Sequence, residues 1–94
     1  MFYVYILYSK SLNRFYIGQT IDIQHRLMEH NTGIYSNSYT KKTSDWELYF
    51  YLNCNSKSQT LSIEKHIKKM KNRKYFENLK KFPDVSSSLL SRYH

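Results

Sequence analysis

Four tyrosines, Tyr3, Tyr5, Tyr8 and Tyr16, stand in two short apolar runs ahead of a segment that carries Arg26 and His30. A phenol can accept a proton only if its ordinary pKa of about 10 is lowered by neighbouring cations. Arginine and histidine are the side chains that would do so. Each residue also has a plainer role. The tyrosines can be strand aromatics, Arg26 a solvated helix residue and His30 a cation at a helix end. Glu64, the only acid between Glu47 and Glu77, stands four before Lys68 and can be its surface partner.

Which role applies depends on what positions these residues. Residues 2–8 are β-branched and aromatic and read as a strand. The polar "SKSLNR" then turns the chain into a second strand at 15–19. Closing that hairpin pairs Tyr8 with Phe15, Leu7 with Tyr16 and Tyr5 with Gly18. Paired side chains share a face, so Tyr5, Tyr16 and Gly18 lie together. A glycine inside a strand often marks close approach by another group. Thr20 or Asp22 can cap the helix that follows. Its Ile23 and Leu27 lie four apart, and Asp22, Arg26 and His30 form a second line on an adjacent face. "HNTG" should end it, with Asn31 and Gly33 suited to the cap.

Residues 34–45, "IYSNSYTKKTSD", have no period and read as a basic, hydroxyl-rich loop. A third strand at 46–54 is apolar on both faces, as suits a sheet covered by helices. A second helix is expected at 59–71 with Ile63, Ile67 and Met70 as its buried seam, and a third at 74–81 with Tyr75, Phe76 and Leu79 inward, stopping before Pro83. The order predicts an α+β fold: a small three-stranded antiparallel sheet flanked by about three helices. Residues 1–82 form the domain, and the serine-rich 83–94 is expected to be a loose or weakly docked tail.

Fifteen Lys and Arg against seven acids give a formal charge of +8, which favours a polyanionic partner. Eight of those cations lie between Lys65 and Lys81 with one acid besides, Glu77. Lys65, Lys68, Lys69, Lys71, Arg73 and Lys74, with Lys41 and Lys42 in the loop, are the expected contacts to a nucleic-acid backbone. Such contacts position a duplex without reading its sequence. Cys54, the single cysteine, lies in the apolar run "ELYFYLNC" and reads as a buried structural thiol. It fits a reducing, cytoplasmic setting. The first apolar run is too short and too polar for a signal peptide or membrane span. His25 and His30, five apart, do not share a helical face, and no cluster has zinc-site spacing.

The order of the residues is more informative than their totals. "VYI" around Tyr5, "YIG" from Tyr16 to Gly18, "GQTIDIQHRLMEHN" with Thr20, Arg26 and His30, and "SIEKHIKKMK" with Glu64 together resemble the GIY-YIG nuclease family. The resemblance spans roughly residues 2–80 and extends to the N-terminal incision domain of bacterial excision-repair proteins. It implies an endonuclease hydrolysing DNA phosphodiester bonds, structure-selective and weakly sequence-specific, with a DNA-repair role. It further implies that Tyr5 activates the attacking water and Tyr16 orients the water or phosphate. Arg26 would neutralise charge on the phosphate, with His30 assisting. Glu64 would hold one divalent ion, Mg²⁺ or Mn²⁺, while Gly18 and Thr20 shape the site. The asparagine that many members carry after the last helix has no counterpart in "KKFPDV". That departure motivates a second reading, a weakly catalytic or non-catalytic nucleic-acid-binding module on the same fold.

Overall fold

The computed structural model describes residues 1–33 and 39–94. Strands β1 (Phe2–Ser9), β2 (Arg14–Thr20) and β3 (Trp46–Cys54) form one antiparallel sheet in the order β2-β1-β3, with helices α1 (Ile23–Thr32), α2 (Lys57–Met70), α3 (Arg73–Lys81) and α4 (Pro83–Arg92). Of the expected 34–45 loop, residues 34–38 lie outside the described residues; the rest contains a short 3₁₀ turn, Thr40–Lys42.

Central β1 is covered on both faces, and its alternation divides the apolar residues into two cores. Val4 and Ile6 join Leu52, Cys54, Ile63, Ile67, Phe76, Leu79 and Leu89 under α2, α3 and α4. Tyr5 and Leu7 point the other way, toward Trp46, Tyr16, Leu27 and Leu48. The β1–β2 register is the one expected from the turn, with Tyr5 opposite Gly18 and Leu7 opposite Tyr16.

The β1–β3 pairing contains a shift that the sequence pattern did not reveal. Ile6 pairs with Phe50, but Leu7 pairs with Leu48. A slip of one residue moves every later side chain to the opposite face. Without it Leu48 and Trp46 would point into the first core beside Phe50 and Leu52. With it they line the tyrosine face.

The helices begin where local chemistry directs. Asp22 accepts the His25 amide at 3.1 Å to cap α1, and Thr20 accepts the Asp22 amide at 3.1 Å one step earlier. Gly33, at φ 76°, ends α1. Ser56 and Asn72 cap α2 and α3. Met70 is 41% exposed, so it does not belong to the seam of α2, which consists of Gln59, Thr60, Ile63 and Ile67. The expected loose tail is instead helix α4. Pro83 opens it without sacrificing an amide bond. Leu89 enters the core, and the Gln59 side-chain amide donates to the Leu90 and Tyr93 carbonyls at 3.1 and 2.6 Å. Among the described residues no helix is long and apolar enough to cross a membrane.

Candidate active site

The tyrosine face gathers residues from both hairpin strands, α1, the 3₁₀ turn and the start of β3. Tyr5 is nearly buried, and its hydroxyl lies 2.9 Å from His30 Nε2. The other imidazole nitrogen, Nδ1, lies 2.9 Å from Thr40 Oγ1. His30 is the one buried residue of α1, at 1% exposure. Burial first and the nearby Arg26 charge second lower its pKa to about 4, against a smaller opposing effect of Glu29. It is therefore a neutral imidazole near pH 7, and one of its nitrogens must donate while the other accepts. The Tyr16 ring lies 5.0 Å from the His30 ring and 6.3 Å from that of Tyr5.

Gly18 permits this packing. A Cβ there would stand 2.6 Å from the Tyr5 hydroxyl oxygen, 2.7 Å from Cζ of the same ring and 3.1 Å from Cε2 of Tyr16. The close approach expected at this glycine is made by the phenol of its own cross-strand partner.

Arg26 is part-buried, and its Nε lies 3.2 Å from Glu29. Glu64, with 17% of its side chain exposed, lies 3.5 Å from Lys68 Nζ on the next turn of α2. The direct hydrogen bonds thus unite Tyr5, His30 and Thr40, while Arg26 is drawn to Glu29 and Glu64 to Lys68. Glu64 is a single carboxylate, and among the described residues no three His, Cys, Asp or Glu side chains gather into a metal-holding set. One carboxylate completed by water and substrate phosphate is a donor set that Mg²⁺ accepts. The residues present therefore fit such an ion.

Five supporting residues were not anticipated as part of the site. Thr40 orients His30. Asn31, expected only as a helix cap, holds both backbone polar groups of Trp46, accepting its amide at 2.8 Å and donating to its carbonyl at 2.9 Å. Trp46 donates its indole N–H to the Thr40 carbonyl at 3.0 Å. Tyr39 stacks on Trp46 at 6.2 Å between ring centres and lies 6.0 Å from Tyr16. Asp45 fastens this region to the hairpin. Its carboxylate accepts from Ser9 and Thr43 hydroxyls at 2.6 and 2.7 Å and from the Ser11 amide at 2.9 Å. Those hydrogen bonds, the Ser9 bond foremost, hold it well below the usual carboxylate range.

The basic run does not form one face. Lys68, Lys71 and Arg73 join Asn13, Arg14, Phe15, Ile17, Tyr39 and Phe76 around a cleft of about 440 Å³. Lys65 and Lys69 line a different cleft, about 530 Å³, with Ser62, His66, Met70, Arg92 and Tyr93. Lys65 and Lys69, four apart on α2, share a face, whereas Lys68 is one position from Lys69 and turns about 100° away from it. Lys42 stands 5.4 Å over the Tyr39 ring at the first cleft, whereas Lys41 and Lys74 are exposed and line neither.

Residues 1–77 match the GIY-YIG catalytic domain. The chain is also 38% identical over 82 residues to a UPF0213 protein of Syntrophus aciditrophicus (strain SB), an alignment covering 87% of this chain and 93% of that protein. No solved structure matches. With a family match spanning both tyrosine strands, α1 and α2, this chain belongs to the GIY-YIG family, a family of nuclease-type enzymes.

Proposed function

We propose that this protein is a divalent-metal-dependent endonuclease that hydrolyses DNA phosphodiester bonds, selects its substrate by structure and reads little sequence. The observation that carries the proposal is the buried line of Tyr5, His30 and Thr40 behind Gly18. A core has no need of a histidine so fully desolvated with both nitrogens engaged.

The Thr40 hydroxyl donates to Nδ1 of His30, which leaves Nε2–H to donate to the Tyr5 oxygen. That bond and the Arg26 charge favour the phenolate, which takes the proton of the attacking water. Burial disfavours the charged form of His30, so a neutral imidazole makes this bond. Tyr16 orients the water or the scissile phosphate. Arg26 meets the negative charge that develops on the phosphate oxygens. Glu64 would hold a divalent ion, Mg²⁺ or Mn²⁺, which would supply Lewis-acid chemistry at the phosphate. Phosphate contacts from Lys68, Lys71 and Arg73, and from Lys65 and Lys69 on the other side of α2, would hold the backbone without regard to sequence.

The test uses nicked, branched and single-stranded DNA with and without Mg²⁺. Glu64→Gln should retain fold and DNA affinity while abolishing cleavage. Tyr5→Phe, which deletes only the hydroxyl, should lower cleavage about a hundredfold or more. If the wild-type chain binds every substrate and cuts none, the non-catalytic module motivated by the missing asparagine replaces this reading.

A further inference from the structure

We infer that the first basic cleft is a subsite for one unpaired nucleotide beside the scissile phosphate, so that the preferred substrate is DNA with a short flap rather than continuous duplex. The inference rests on the nuclease reading and specifies which structure is selected.

Four observations support it. The cleft's volume, about 440 Å³, falls within the range of small-ligand sites. Its lining carries the charges of Arg14, Lys68, Lys71 and Arg73 beside the rings of Phe15 and Tyr39, with no carboxylate among the described lining residues. Cations interleaved with aromatics are how proteins hold single strands, the backbone on the charges and the base on a ring or guanidinium plane.

Arg73 is also held in place before any ligand arrives. Its Nη2 donates to the Asn13 carbonyl and side-chain oxygens at 2.6 and 2.7 Å, and its guanidinium lies 5.2 Å over the Phe15 ring. Asn13 adopts φ 53°, the left-handed turn conformation that asparagine tolerates. A cation meant only for solvent has no need of such fixing, and an Arg plane so held loses less entropy on stacking.

The fourth observation is position. Tyr39 lines the cleft, donates its hydroxyl to the Phe15 carbonyl at 3.3 Å and lies 6.0 Å from Tyr16 on the tyrosine face. Lys68, on the same cleft, is the partner of Glu64. The cleft thus borders the tyrosine face through Tyr39 and the proposed metal carboxylate through Lys68.

Fluorescence anisotropy in EDTA, where nothing is cut, tests this on four labelled DNAs of one sequence: blunt duplex, nicked duplex, nicked duplex with a one-nucleotide flap, and the same flap with an abasic unit. The flap should bind at least about tenfold tighter than the nicked duplex, and the abasic flap should lose that gain. Tyr39→Leu and Arg73→Ala should each bring the ratio toward one, whereas Tyr39→Phe, which keeps the ring, should preserve it; circular dichroism verifies the fold of each. Equal binding of flap and nick, of flap and abasic flap, or an unchanged ratio in folded Tyr39→Leu and Arg73→Ala overturns the subsite. A chain that shows the Tyr39-dependent flap preference but cuts nothing in Mg²⁺ supports the subsite and defeats the nuclease reading instead.

Discussion

Gly18→Ala places one methyl where the Tyr5 phenol now lies. The new Cβ would stand 2.6 Å from the hydroxyl oxygen and 2.7 Å from Cζ, well inside contact distance, so the Tyr5 ring must move. The ring has nowhere easy to go, since Tyr5 is 2% exposed and tied to His30 at 2.9 Å. Overpacking of this kind costs about 1–3 kcal/mol. Leaving the buried His30 nitrogen unsatisfied costs roughly another 1–3 kcal/mol. Replacing a strand glycine by alanine returns only about 0.5–1 kcal/mol. The net loss should be about 1–5 kcal/mol, a fall in thermal midpoint of at least about 4 °C for a domain of this size. Urea denaturation of Gly18→Ala, Tyr5→Phe and the double variant measures it. In the Tyr5→Phe background the hydrogen bond is already gone and the 2.6 Å clash has lost its partner atom, while the clash at Cζ remains. The alanine should therefore cost about 1 kcal/mol less there, but not nothing. A Gly18→Ala protein within about 0.5 kcal/mol of wild type, or strictly additive variants, would refute the packing argument.

His30 makes stability depend on pH. Its folded pKa, about 4, lies below the ordinary 6.5, so between these values the unfolded chain binds more protons. The contribution is complete above pH 6.5 and is lost as pH falls toward 4; at about 1.4 kcal/mol per unit it is on the order of 3 kcal/mol. Urea midpoints across that window should show the slope, and His30→Gln should flatten it. Leu89→Ala, in the helix expected as a loose tail, should destabilise the fold by about 2–4 kcal/mol in chemical denaturation; a negligible change would mean that α4 does not contribute to the core. Neutralising Lys68, Lys71 and Arg73 should weaken duplex binding equally for unrelated sequences and flatten the salt slope by about one unit per lost contact. An unchanged slope would remove the first cleft from the interface.

Much of this protein is determined locally, and local features are what a sequence displays. Tyr5, Gly18 and Tyr16 share a face because the short turn between Ser9 and Arg14 sets the hairpin register and side chains alternate. Asp22, Ser56 and Gly33 start or end their helices through bonds or dihedrals confined to a few residues. The order of Tyr5, Tyr16, Arg26 and Glu64 points to the family through residue identity alone. Other features needed the folded chain. The slip after Ile6 turns Trp46 toward the tyrosines, and a strand with apolar residues on both faces carries no pattern that reveals it. The pKa of His30 follows from burial and from Arg26, and Thr40 reaches it from across a loop. Gln59 converts a serine-rich stretch into a docked helix by bonding carbonyls more than thirty residues away. Helical phase splits one run of lysines into two clefts, only one of which opens beside the tyrosines. Burial, charge proximity and shared cavities depend on which distant segments meet, and only the tertiary structure brings those segments together.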